Sequence, residues 1–360
     1  MLGIPREYIN LRRPRTMVNW YRSLMLARRR CPPPESRLMP VVAQIEPTVL
    51  CDLNCTFCQS SELRRVRAKP HMSYSEFRRV IEEMRFLVAV ALVGMGEPTL
   101  NPEFFKMVRH ASDMGIATST VTNCNRHTET IARQLVSSGL VGVGTSIDGA
   151  TATSYEMLRR GGNFERTLSN LERLVRLRGS ARLPRIGVEM IALDQNMNDM
   201  QDWVRLCANV GVDALTIQAR VTNWGKRAYV ATTIAHSALT RGGFKEALEQ
   251  ARATAAKLGI ELDVLRRTYK RGQICPKPWS DTYVASSGEV VPCCTIADPR
   301  VKCMGNMLHQ AFQDIWNNRE YVAFRADFTS GVIPDCCLQC YGPGELLEQG
   351  KEQPRDGPRQ

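Results

Sequence analysis

The chain has 360 residues, 48 Lys and Arg against 36 Asp and Glu, a net charge of +12, and 13 Cys. That length can bury a sizeable core in one large or two ordinary domains, and 43% hydrophobic with 23% charged residues excludes general disorder. The longest apolar run, Phe86 to Val93, is too short to span a bilayer, and the Arg-rich start lacks a secretory pattern, so no membrane partner and a cytoplasmic location are expected. Residues 1–40 read as a basic leader, with nine Arg up to Arg37 against Glu7 and Glu35. With no nucleic-acid motif and few interleaved aromatics, the leader reads as a solvated face rather than a nucleic-acid patch.

From residue 41 a short apolar run, a turn and an amphipathic stretch alternate. The apolar runs are Val41–Ile45, Leu87–Val93, Ile116–Val121, Val141–Ile147, Ile186–Leu193 and Ala214–Ile217. Helical patterns lie near 75–85, 103–114, 128–139, 163–178, 198–210 and 243–258. Ser73 and Glu76 have capping-box spacing, and Asn101-Pro102-Glu103 marks another helix start. This pattern predicts an α/β fold: a partial (βα)6 TIM-type barrel over 41–265, with its chemistry at the C-terminal strand ends. After about residue 270 helical periodicity fades and Cys becomes dense. Residues 270–345 therefore read as a small Cys-rich, metal-organised domain, and 346–360 as a polar tail.

Cys51, Cys55 and Cys58 directly follow the first strand with C-x3-C-x2-C spacing. Three thiolates so spaced can wrap one face of an iron–sulfur cube and leave one iron open to a small molecule. Zinc is the competing reading, although zinc sites usually take paired two-ligand knuckles and a fourth protein ligand.

This motif, with Phe57 before its last Cys, in the loop after strand one of a partial barrel, resembles the radical S-adenosylmethionine (SAM) superfamily. Gly94-Met95-Gly96-Glu97-Pro98 is similar to that family's Gly-Gly-Glu-Pro element, Ser146-Ile147-Asp148-Gly149 to its Ser-Leu/Ile-Asp-Gly, and Tyr155-x-x-x-Arg159 to its Tyr-x-x-x-Arg. The resemblance implies a 4Fe–4S cluster on Cys51, Cys55 and Cys58, chelated at its open iron by SAM. It implies Gly96 and Glu97 at the methionyl amine, Arg159 at the SAM carboxylate, and Phe57 beside the cofactor. Strand alternation puts Ser146 and Asp148 on one side, where they suit ribose hydroxyls. Asn123 is a further cofactor candidate in Thr122-Asn123-Cys124, where the family often has Thr-Asn-Gly. Glu189, polar within an apolar run, reads either as a SAM or substrate contact in the lumen, and so a candidate catalytic group, or as a satisfied structural carboxylate; Gln218 is similar.

The C-terminal region resembles the SPASM/Twitch extension of radical SAM enzymes, through Cys275, Gly288-x4-Cys293, Gly305-Asn306, Ile315-Trp316-Asn317 and Cys337-x2-Cys340. It implies a second, auxiliary 4Fe–4S cluster on Cys275, Cys293, Cys337 and Cys340, with Cys294 and Cys336 as adjacent spares. No Cys follows Cys340, so one auxiliary cluster is expected. Spacing alone leaves a four-Cys zinc ribbon open. Cys31 and Cys207 read as ordinary thiols, Cys303 fits no ligand position, and Trp279 and Trp316 read as packing residues.

The resemblance implies a radical SAM oxidoreductase that cleaves SAM to a 5′-deoxyadenosyl radical, driven by an external reductant such as flavodoxin or ferredoxin. The leading expectation is a small-molecule substrate, a sugar or aminocyclitol, undergoing net two-electron oxidation with the auxiliary cluster as electron acceptor. The alternatives are a peptide-modifying enzyme, an epimerase returning hydrogen from Cys124, Cys207 or Cys303, and a non-catalytic metal-stapled RNA-binding protein. The sequence does not define an oligomeric state.

Overall fold

A computed structural model describes residues 14–27, 32–219, 221–222, 226, 242–265, 269 and 272–341. The expected polar tail, Cys31 and the first thirteen leader residues lie outside the described residues.

The expected strands form as β1 (Val42–Ile45), β2 (Ala89–Leu92), β3 (Ala117–Thr122), β4 (Gly142–Ser146), β5 (Arg185–Ile191) and β6 (Ala214–Gln218), each parallel to the next. Along these six strands fully buried residues alternate with half-exposed ones. The buried set packs under the helices; the half-exposed set forms the inner face of a partial barrel. That inner face is built largely from small residues, among them Ala89, Ala91, Ser119, Gly142, Gly144 and Gly187.

The sheet is larger than six strands. β7 (Glu261–Leu265) adds in parallel to β6, and β8 (Asp281–Val284) adds in parallel to β1 on the other side. β9 (Glu289–Val291) and β10 (Gly305–Asn306) continue antiparallel, giving the order β10-β9-β8-β1-β2-β3-β4-β5-β6-β7. β7 escapes an apolar-run search because it is an edge strand with exposed Glu261 and Asp263.

The helices match their periodicity: Tyr74–Glu83, Phe104–Asp113, Glu129–Ser137, Phe164–Arg178, Met200–Val210 and Phe244–Leu258. The first is closed by the expected capping box between Ser73 and Glu76. Among the described helices of seven or more residues, three were not expected. Pro14–Ala27 forms within the leader, where Asn19 Nδ2 donates to the Met39 carbonyl at 3.0 Å. Ala152–Leu158 begins at a Thr151 cap. Arg319–Thr329 lies where periodicity fades, because its buried side mixes Arg325 with Tyr321, Phe324 and Phe328. The Arg325 guanidinium stacks on Trp316 and Tyr321 and donates to the carbonyls of Pro278 and Trp316, both at 2.9 Å. Trp316 Nε1 and the Asn317 amide in turn hold residues 36–38, the approach to β1.

Candidate functional site

The loop after β1 carries the first three thiols. The Leu53 and Ser60 N–H groups donate to Cys51 Sγ and Cys58 Sγ at 3.5 and 3.4 Å. Burial pushes the Cys51 thiol up to about 12 and the Cys55 thiol up to about 11. Buried thiolates become the stable form only against a cation, so N–H groups aimed at sulfur on an all-thiol donor set fit an iron–sulfur cluster.

The β2 loop is shaped by what lies beneath it. Glu46, at the end of β1, is fully buried and accepts from Arg67 Nε at 3.0 Å, Tyr283 OH at 2.6 Å, Met95 N at 3.0 Å and Ser286 N at 3.1 Å. A Cβ on Gly94 would stand 2.3 Å from the Glu46 side chain. A Cβ on Gly96 would meet the carbonyls of Leu50 and Thr48 at 2.4 and 2.5 Å. Both glycines are therefore required by close approach, one to a carboxylate and one to the backbone that enters the thiol loop.

Glu97 sits 4% exposed at the end of that turn, where burial pushes its carboxyl up. Oε1 accepts from Thr99 N, Thr99 Oγ1 and Thr122 Oγ1 at 3.1, 2.7 and 2.8 Å, and Oε2 accepts from Asn123 N at 2.7 Å. Thr122 leads into a buried relay: its Oγ1 lies 2.9 Å from His127 Nε2, and His127 Nδ1 lies 3.3 Å from Cys124 Sγ. With Thr122 donating to the carboxylate, His127 donates from Nε2, and its bare Nδ1 takes the Cys124 S–H. Cys124 has φ +57, the left-handed region that favours Gly, which accounts physically for Gly at this position in the resembling motif. Asn123 Nδ2 donates to Asp52 Oδ1 at 2.7 Å and lies 3.7 Å from Cys51 Sγ, so it ties the β3 loop to the thiol loop.

Ser146 and Asp148 separate, contrary to the alternation argument. Ser146 lies half-exposed on the inner face, in register with Glu189, whose Oε2 accepts from Gln218 Nε2 at 3.3 Å. Asp148 is fully buried beyond the strand end; its Oδ1 accepts from Ile191 N and its Oδ2 from Arg159 Nε, both at 2.6 Å. The strand ends at Ser146, so the period of two stops before Asp148. Arg159 lies over the Phe57 ring at 5.8 Å, beside the thiol loop. Ser146, Glu189 and Gln218 thus meet inside the barrel, while Asp148, Arg159 and Phe57 meet at its rim.

A second cavity is lined by five cysteines, Cys275, Cys293, Cys336, Cys337 and Cys340. Cys294, next in chain to Cys293, packs instead on an apolar group with Cys58, Val49 and Met95. Geometry therefore separates Cys293 from Cys294, whereas Cys336 and Cys337 share the cavity. Burial pushes the Cys275 and Cys293 thiols up to about 11 and about 12, the same fit to a thiolate-bound cluster as at the first loop. The closing Cys-x2-Cys lies on a short 3-10 turn over Asp335–Cys340. Cys124 is buried beside His127, Cys207 is buried on the core-facing side of the Met200–Val210 helix, and Cys303 is exposed. Glu46 and His127 are single ionisable residues near strand-end motifs and Arg67 lies nine residues past Cys58, so no spacing pattern marks the three in the sequence.

An open α/β barrel with three thiols at the first strand end and a second thiol nest beside it defines an iron–sulfur barrel protein. Residues 45–207 match the Radical SAM superfamily, and residues 275–341 match the SPASM iron–sulfur cluster-binding domain. The chain belongs to the radical SAM superfamily and carries a SPASM domain, whose cofactors are 4Fe–4S clusters and SAM. It is 26% identical over 294 residues to the AdoMet-dependent heme synthase of Methanosarcina barkeri, covering 76% of this chain and 81% of that protein. It is 26% identical over 312 residues to the PqqA peptide cyclase of Rhodopseudomonas palustris, covering 84% and 79%. Similarity to the mycofactocin maturase MftC of Mycobacterium tuberculosis, 26% over 187 residues, covers 52% of this chain and 46% of that protein, so the chain spans about half its length. The fold is also that of Streptococcus suis SuiB bound to precursor peptide SuiA, with TM-score 0.62 at 14% identity over 79% of this chain and 66% of that one. Among the described residues no helix is long and apolar enough to cross a membrane.

Proposed function

We propose that the chain is a peptide-modifying radical SAM enzyme of the cytoplasm. Bound SAM and a reduced 4Fe–4S cluster would supply the radical chemistry that takes hydrogen from an unactivated C–H. Cys51, Cys55 and Cys58 would hold the first cluster, and Cys275, Cys293, Cys337 and Cys340 the second. The Gly96 carbonyl and Glu97 would receive the SAM amine, with Glu97 held in place by Thr99, Thr122 and Asn123. Arg159 would face the SAM carboxylate. Asp148, with both oxygens engaged, would orient Arg159 rather than bind ribose. Ser146, Glu189 and Gln218 would meet ribose or substrate inside the barrel.

The observation that carries the substrate reading is the inner face itself. Along β2, β3 and β4 its side chains are mostly small and half-exposed, so they leave that part of the barrel open to a substrate. The name of the PqqA peptide cyclase, aligned over most of both chains, points the same way and displaces the sugar or aminocyclitol first expected.

Anaerobic reconstitution tests the chemistry. Wild type should bind about eight iron and a Cys51/Cys55/Cys58→Ala variant about four, with deoxyadenosine formed only by the former. A protein that binds zinc alone, or forms no deoxyadenosine, would overturn the reading. Incubation with short peptides encoded beside the gene, against a sugar and aminocyclitol panel, tests the substrate. A peptide that loses two hydrogens is expected; oxidation of a sugar or aminocyclitol, with every peptide unchanged, would overturn it.

A further inference from the structure

The leader helix Pro14–Ala27 is turned inside out. Polar side chains face the body: Thr16 and Ser23 are buried, Thr16 Oγ1 donates to the Arg85 carbonyl at 3.5 Å, and Asn19 Nδ2 donates to the Met39 carbonyl. Apolar side chains face out: Val18, Tyr21 and Met25 are 50, 60 and 45% exposed. Their spacing of three and four residues sets them in one stripe, with exposed Arg22 beside them. Among the described residues the other exposed large apolar side chains are scattered singly over separate elements, so this stripe is a patch rather than ordinary surface. The sequence on both sides of it is basic: residues 1–30 carry eight Arg against Glu7 alone. Of the acids nearby, Glu82 lines the cavity under Pro14 and Thr16 but pairs with Arg78 at 3.8 Å, and exposed Glu35 is offset by exposed Arg37.

We propose that this helix lies on an anionic membrane surface, with Val18, Tyr21 and Met25 entering the headgroup boundary and the leader arginines meeting lipid phosphates. An in-plane helix of this kind binds through its apolar stripe and its cationic flanks together, and it needs no spanning segment. A second copy of the chain is a poorer occupant, because a shared patch would set two basic leaders against each other. A folded acidic partner would need roughly 800 Å² of matching surface on each side. Three side chains on a convex helix are enough for a bilayer, which moulds itself around them. Such binding is independent of the radical SAM chemistry and of the substrate.

The test is flotation of the full reconstituted chain with vesicles of phosphatidylcholine alone or with about 30% phosphatidylglycerol. Wild type is compared with Val18→Ser/Tyr21→Ser/Met25→Ser, with Arg22→Glu, and with Leu258→Ser, a control at the exposed end of the Phe244–Leu258 helix. Wild type and Leu258→Ser should float with the anionic vesicles, less so as salt rises from about 0.05 to 0.3 M, and should stay behind with phosphatidylcholine alone. The partition coefficient should fall about tenfold or more in the triple variant, which keeps every charge, and about tenfold in Arg22→Glu. Equal melting temperatures and iron contents would establish that the variants fold. Failure of wild type to float, or a triple variant that floats as wild type does, would overturn the proposal. So would self-association in size-exclusion chromatography that the triple variant abolishes, since the stripe would then be an interface between copies.

Discussion

Single residues around Glu97 show how a buried carboxylate is held from behind. His127 is 5% exposed between Thr122 and Cys124, and burial pushes its imidazole down to about 4. In the unfolded chain it titrates near 6.5. Between those values the unfolded state takes up a proton that the folded state refuses. The stability due to the neutral imidazole is therefore complete above about pH 6.5 and lost as pH falls toward about 4. From pH 6.5 to 5 the loss amounts to about 2 kcal/mol. Urea unfolding of wild type and His127→Gln across that range should show the wild type losing this much more than the variant. Equal slopes for the two proteins would show that the imidazole is free to protonate in the folded state.

At the scale of elements, one buried carboxylate joins pieces distant in sequence. Glu46 leaves the end of β1 and receives donors from Arg67, the β2 loop, β8 and the turn after it. Glu46→Gln removes the charge that balances Arg67 and should lower unfolding free energy by about 3 kcal/mol or more. Glu62→Gln, which breaks half-exposed pairs with Lys226 and Arg300, should cost less than about 1 kcal/mol. Equal losses in denaturant titrations would remove Glu46 from this linking role. The contrast also marks what could be read in advance. The strand and helix beat, the thiol spacing and the strand-end motifs are local patterns, and local patterns are legible. The donors to Glu46 lie up to 240 residues away, so no spacing rule exposes them. The partners of Asp148 were hidden by the end of a strand, and the 319–329 helix by one arginine buried without a carboxylate, among carbonyls and rings.

For the molecule as a whole, the C-terminal Cys-rich region is part of the sheet that begins the barrel. β1 lies between β2 and β8, with Val42 through Ile45 paired residue by residue to Asp281 through Val284. Removing everything after Leu265 would turn β1 into an apolar edge and strip Glu46 of Tyr283 OH and Ser286 N. The exposed strand would invite edge pairing between chains. The weakened Glu46 site lies directly under Gly94, so the β2 loop that positions Glu97 would lose its floor. A chain ending at Leu265 should therefore aggregate or melt without cooperativity, and should fail to hold iron on Cys51, Cys55 and Cys58, as size-exclusion chromatography, circular dichroism melting and iron analysis would show. A soluble, cooperatively melting fragment that binds about four iron would instead make the barrel an independent unit, with β8 an appended strand that its first cluster does not need.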